Sequence, residues 1–567
     1  MDQSTRDGKF RLSRRQAVKA VVAGTGAALV GTRSENTAAK EVRPPYTAPF
    51  VDELPVYLPK MDVPAMALIP AAQEYPHALE AGRDAHQGWT HWPAKKFYKV
   101  EVKEGWHKFH RDLQPQPIWG YDGMLPGPTF VAREGEPSLV RFYNMLPSNA
   151  NGFGSPEIST HLHNGHTGSE SDGYAGNYFS STKYGPTLTR AGQYYDHHYP
   201  NCYAGYDKFP DTDGDLNESM GTLWYHDHRE GFTAANVYRG LSGFYLMFDK
   251  IDSGNEQDTT PGALRLPSGV GKYDIPMVFQ DQMFDSSGMR LFDQFETDGF
   301  LGNKFCVNGK VQPAFKVARR KYRFRLLDGS PSRFYEFCLK FKGVNQQFQF
   351  IANDGNLLPA PLTMQTVRLA PAERADIIVD FSNYQIGDQL FLVNTLNQTS
   401  GRGPDPLLPP IALQILRFDV DRDAPDTSQV PPVLRPLPAI DMLEVKQKRR
   451  FEFARENGVW VVNNKVFDVE KASVVIKKGT AEIWTLVGKG GWHHPIHIHM
   501  EEGRILSRNG KPPAPHEAGR KDVFVLNPGD EVKVFLRFRD FSGKYMMHCH
   551  NTVHEDHSMM VRFDIEP

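Results

Sequence analysis

Four short stretches of this chain repeat one pattern, histidine, any residue, histidine: His161-Leu162-His163, His226-Asp227-His228, His497-Ile498-His499 and His548-Cys549-His550. Residues two apart on a β-strand point to the same face, so each pair presents two imidazoles side by side. The flanks read as strand, with Ile158-Ser159-Thr160 before the first pair and Thr222-Leu223-Trp224-Tyr225 before the second. A lone pair of this kind is usually a surface or core pair. Four of them, holding eight imidazoles, point to metal binding, since histidine is the commonest protein metal ligand. Eight ligands are too many for one ion and suit three ions at two or three each.

The last pair carries a second message. His548 and His550 face one way, and Cys549 between them faces the other. Its thiolate can therefore ligate a different metal while joined covalently to both histidines. His554 and Met559 follow within ten residues, and His494 stands just before the third pair. One cysteine, two histidines and a distant methionine form a blue-copper donor set, and the soft thiolate favours copper. Structural zinc would use paired cysteines, and only Cys549 lies among the histidines. Of the 21 His in the chain, the ten named here fall in these clusters.

The rest of the sequence fits an all-β chain. Runs such as Phe97 to Val102, Ser138 to Tyr143, Lys321 to Leu327, Ala375 to Phe381, Ala481 to Val487 and Asp530 to Phe538 are rich in β-branched and aromatic residues and bounded by turn formers. This pattern predicts sandwiches or barrels of antiparallel strands. Arg323-Phe324-Arg325-Leu326 alternates charged and apolar groups, as expected of a half-buried strand. Two polar or proline-rich stretches, 250–272 and 419–440, read as linkers. With residues 1–39 set apart, they divide the chain into 40–255, 256–420 and 421–567, and 567 residues suit about three domains. With 65 basic and 67 acidic residues, the chain lacks the basic footprint of a nucleic-acid binder.

The first 39 residues read as an address. Arg14-Arg15 precedes an Ala/Val/Gly run from Ala17 to Gly31. A twin arginine before a short, weakly apolar run resembles a Tat export signal, which predicts Tat machinery as a partner and a periplasmic or extracellular destination. The run is too short to span a membrane, and no other segment reaches that length.

On its histidine, cysteine and methionine motifs, the chain resembles the three-domain multicopper oxidases, in the branch of spore-coat laccase, bilirubin oxidase and phenoxazinone synthase. The resemblance spans residues 45–567 and implies three cupredoxin-like Greek-key β-sandwich domains. It implies four coppers: a type 1 ion on His494, Cys549 and His554 with Met559 axial; a type 2 ion on His161 and His497; and two type 3 ions on His163, His226, His228, His499, His548 and His550. It further implies proton-handling roles for Asp172 and Glu555, dioxygen and a small reducing substrate as partners, and a monomer. Met559 is chosen over Met560 on family spacing. The implied reaction is one-electron oxidation of phenols or aromatic amines coupled to reduction of dioxygen to water. Oxidation of Cu(I) or Mn(II), or of bilirubin, is the alternative.

Other features are read more plainly. His166 is an extra imidazole beside the site or on the surface. His197-His198 are adjacent, so on a strand they diverge and make a poor shared site. An exported setting permits one disulfide, and Cys306 with Cys338, in one domain, is the candidate pair.

Overall fold

Each strand-like run forms a strand in the computed structural model: Lys96–His107, Ser138–Asn144, Lys321–Asp328, Arg374–Asp380, Thr480–Gly488 and Glu531–Phe538. The structure describes residues 43–80, 82–175, 178–180, 183–184 and 189–567. The twin-arginine segment lies outside the described residues. Among them, no helix is long and apolar enough to cross a membrane.

Three β-sandwiches follow one another along the chain, each with its own core. The first packs two four-stranded sheets around Val100, Phe142, Leu223 and Tyr245. The second packs an eight-stranded against a six-stranded sheet around Phe324, Phe337 and Phe418. The third packs a six-stranded against a five-stranded sheet around Trp484, Ile496, Phe524 and Phe563. Purely antiparallel sheets were expected, but each of these six sheets contains one parallel pair, such as Lys96 to Val102 beside Ser138 to Asn144. Parallel neighbours need a crossover connection. Between these two strands the chain visits the opposite sheet at Phe130–Arg133 and returns in the same direction, which is the Greek-key path.

The alternating Arg323 and Arg325 do not face solvent as a half-buried strand predicts. Their strand lies between Asp274–Phe284 and Arg374–Asp380, and both side chains are buried. Arg325 makes a bidentate pair with Asp274 at 2.7 Å and donates to Thr222 Oγ1 of the first sandwich at 2.8 Å. Arg323 pairs with Asp376 and Asp252. The alternation marks an inter-sandwich ion network, where each buried guanidinium is matched by carboxylates.

All four cysteines are free thiols, so Cys306 and Cys338 form no disulfide. Val307 points into the core of the second sandwich from one sheet, and Phe337 and Leu339 do so from the other. Each cysteine, one residue away, therefore faces out of that core. Cys306 instead packs beside Phe109 and Phe284.

Candidate metal centres

The four histidine pairs sit at strand ends. Strand β1 (Thr160–His163) carries the first pair, and β2 (Thr222–Asp227) ends one residue before His228. A short helix, α1 (Thr233–Arg239), follows. In the third sandwich, β3 (His494–Ile498) ends just before His499, and β4 (Gly543–Cys549) just before His550. Within each sandwich, antiparallel pairing aligns the histidines, with His161 opposite His226 and His497 opposite His548. The two sandwiches meet there, and the eight imidazoles form one buried cluster.

Three all-histidine groups within it could hold a metal: His161 with His163 and His497, His163 with His226 and His550, and His228 with His499 and His548; His161 and His499 form a further group with Asp172. Across the sandwich boundary, His161 Nε2 lies 3.4 Å from His497 Nε2, and His228 Nε2 lies 3.2 Å from His499 Nε2 and 3.1 Å from His548 Nε2. Most rings have their other nitrogen engaged. Nδ1 of His226 donates to the carbonyl of Asp227 at 2.8 Å, and Nδ1 of His497 to that of Asp522 at 3.0 Å. His161 Nδ1 donates to the carbonyl of Asp172. Such bonds fix the tautomer and leave a lone pair on the inward nitrogen. Buried His226 Nε2, His163 Nδ1 and both nitrogens of His550 have no partner, as inward-facing metal donors would not. Burial pushes His226 and His228 down to about 3, so the rings are held neutral.

Three buried carboxylates each serve two rings. Asp172 Oδ2 accepts from His499 Nδ1 at 2.7 Å, and Glu555 lies 2.9 Å from His548 Nδ1 and 3.3 Å from His228 Nδ1. The third, Asp522, was not singled out in the sequence. Its Oδ1 lies 3.0 Å from His163 Nε2 and takes a hydrogen bond of 2.8 Å from Arg374 Nη1. No spacing marks it: Asp522 reaches the cluster because Val523 pairs with His497 across two strands. Burial pushes Asp522 up to about 7, against the pull of Arg374, and raises Asp172 well above the carboxylate range.

The second centre lies within the third sandwich. Cys549 Sγ is 3.6 Å from Nδ1 of His494 and 3.6 Å from Nδ1 of His554, the latter on helix α2 (Thr552–Asp556). The three donors form one buried group. Met559 shares the core cluster of Cys549, whereas Met560 packs with Tyr174 and Met546 on the other side, so the two methionines separate by face. His554 Nε2 donates to the carbonyl of Asp298 at 3.0 Å, and Trp460 lies against its ring, tilted by 34° at 3.9 Å between centroids. Arg402 and Arg455 both pair with Asp298, and Arg402 lies over Trp492. A loop of the second sandwich thus caps the outer edge of this centre. Asp298 and Trp460 carry no motif in the sequence.

The remaining histidines have local partners. His166 is buried rather than superficial and pairs with Asp540 at 2.7 Å, tying the first sandwich to the third. His197 and His198 diverge as expected, with Nδ1 of His197 on the Ser171 carbonyl and Nε2 of His198 on that of Trp92.

A centre built on a cysteine and two histidines, an imidazole cluster shared by two sandwiches and three Greek-key units together define a copper oxidase. The family model described as multicopper oxidase matches residues 436–567. A bilirubin oxidase of Albifimbria verrucaria is 36% identical over 82% of this chain and 76% of its own length. A laccase of Bacillus subtilis (strain 168) is 32% identical over 83% of this chain and 94% of its own length. Among solved structures, the McoA multicopper oxidase of the hyperthermophile Aquifex aeolicus shares the fold, with a TM-score of 0.68 at 24% identity over 84% of this chain and 97% of that one. The chain belongs to the multicopper oxidase family, as a laccase-like oxidoreductase that uses copper and oxygen.

Proposed function

We propose that the chain holds four coppers. His494, Cys549, His554 and Met559 would hold the first; His161 and His497 the second; His163, His226 and His550 the third; and His228, His499 and His548 the fourth. The inward-facing, partnerless nitrogens and the soft sulfur suit copper. When bound, the coppers supply the redox chemistry that takes single electrons from a phenolic or aromatic amine donor and reduces dioxygen by four electrons to two waters.

The chain's own residues do the rest. Cys549 is bonded through the backbone to His548 and His550, which gives the shortest covalent link between the two centres. The observation that carries the reading is this sharing of one tripeptide by two buried donor sets. Asp172, which burial raises well above the carboxylate range, holds a proton at the edge of the cluster, where four are consumed per dioxygen, and Glu555, which against burial His548 and His228 hold below its ordinary value, receives and passes protons as a carboxylate. Asp522 and Arg374 orient His163. Trp460 and the Asp298 carbonyl cover the outer edge of His554, so the donor approaches over this loop.

The twin-arginine segment supports export through the Tat route, and the boundaries near 255 and 420 are proposed as domain limits. The test is oxygen uptake by copper-loaded protein given a phenol, an aromatic amine, bilirubin, Cu(I) or Mn(II). Blue protein with phenol-dependent uptake is expected. Colourless protein after full copper loading overturns the assignment, and much faster Cu(I) oxidation moves the donor class to metal ions.

A further inference from the structure

A cavity of about 600 Å³ opens beside helix α1, between the first and second sandwiches, and no part of the oxidase reading uses it. That volume falls within the range of about 300–1,000 Å³ usual for small-molecule sites. Phe153, Phe232, Phe292 and Phe295 supply aromatic wall, and Arg239 and Arg290 line it with charge.

Both arginines are buried, and neither makes an ion pair with a carboxylate among the described residues. The Arg239 guanidinium sits over Trp119, with its central carbon 3.8 Å from the ring centroid. Its Nη1 donates to the carbonyl of Ala150 at 2.6 Å, and its buried Nε has no partner. The Arg290 guanidinium donates only to carbonyls, those of Tyr238 at 3.1 Å, Pro117 at 3.0 Å and Arg239 at 3.5 Å. Burial and its neighbour Arg290 lower Arg239 to about 10, and burial lowers Arg290 to about 10. Elsewhere in this chain buried arginines have acids against them, as Arg141 has Asp196, Arg325 has Asp274 and Arg374 has Asp522. Two adjacent buried cations without such partners are costly. Asp293 reaches the same cavity from an exposed position and is capped by the Phe295 amide at 2.8 Å, and the charge of Glu104 acts on Arg239 without an ion-pair contact.

We propose that this cavity binds an aromatic carboxylate, with the ring between the phenylalanines and the carboxylate on the free edge of Arg239. The planar guanidinium fork matches a carboxylate, and Nη2, the edge of Arg239 that no hydrogen bond among the described residues engages, is where a charge-assisted bond would form. The site is separate from the donor approach over Trp460 and needs no copper assignment to be correct. It shares a wall with the cysteine centre, since Phe292, Tyr238 and Phe300 pack in one cluster with Val553, the residue before His554.

Calorimetric titration of the copper-loaded protein with naphthalene-2-carboxylate and with the neutral naphthalene-2-carboxamide tests this. One equivalent of the acid is expected to bind about tenfold tighter than the amide, a difference worth ~1.4 kcal/mol. Arg239→Gln should remove that preference while the amide binds unchanged. Phe295→Asp, at an exposed position on the wall, should weaken the acid several-fold without touching the core, and it carries the test if the arginine variant does not fold. Equal affinity for acid and amide, or acid binding unchanged in the folded variants, overturns the proposal.

Discussion

The two candidate centres share the tripeptide His548-Cys549-His550 but are built in opposite ways. The cysteine centre is local: two strands, a short helix and the turn after it, all in the third sandwich, supply its donors. The imidazole cluster is assembled across a boundary, with four rings from the first sandwich and four from the third. The local centre has a tryptophan and a backbone carbonyl at its edge and one neighbouring loop that reaches solvent. The shared cluster is ringed by three carboxylates, each spanning two imidazoles. A centre that only passes electrons needs cover and a way in. A centre that consumes protons needs acids, and one that joins two domains needs its rings locked from both sides.

The comparison can be broken most sharply at the shared tripeptide. Cys549→Ser should abolish blue absorbance and donor-driven oxygen uptake while costing one copper equivalent. Loss of all copper by elemental analysis would show that the centres are not separable. Next, Asp172→Asn should slow oxygen consumption by about 10²-fold, as expected for loss of a positioned proton donor. Anaerobic bleaching of the blue band by donor should keep its rate, and equal slowing of both would place Asp172 outside the shared cluster's function. Asp522→Asn should weaken copper retention in the shared cluster by about 10–100-fold and spare the cysteine centre. Competitive chelation with the blue band as internal reference measures both at once.

The smallest effect concerns the boundary itself. Burial alone would lower His166, but its hydrogen bond to Asp540 and the charge of Glu501 raise it above its ordinary value, with Arg539 opposing. Asp540 is held below its ordinary value, since His166 and the Gly205 amide outweigh burial. The raised histidine stabilises fully below about 6.5 and loses this as pH rises through its folded value. The lowered aspartate stabilises above about 3.9 and loses this as pH falls through its folded value. The pair therefore contributes most between about pH 4 and 6.5. His166→Gln should cost about 2 °C more in Tm at pH 6 than at pH 9, on the order of 1 kcal/mol. An equal cost at both pH values would mean that the pair is uncharged.

What was legible from sequence alone follows from periodicity. A spacing of two on a strand put His548 and His550 on one face and Cys549 on the other, whatever the rest of the chain does. The same rule marked the strands and, together with the family resemblance, all twelve proposed donors. Where a side chain's surroundings depend on another part of the chain, that rule failed. Arg323 and Arg325 alternate like a surface strand, yet the neighbouring sandwich buries them against Asp252, Asp274 and Asp376. Cys306 and Cys338 are in one sandwich, yet both point out of its core. Asp522, Asp298 and the unpaired Arg239 and Arg290 bear no motif. Their roles come from which strands pair and which sandwiches touch, because a carboxylate orients a ring, or a cation goes unpaired, only when distant segments are packed within a few ångströms. The donor set is thus written in local spacing, whereas its tautomers, its acids and its edges are decided by packing.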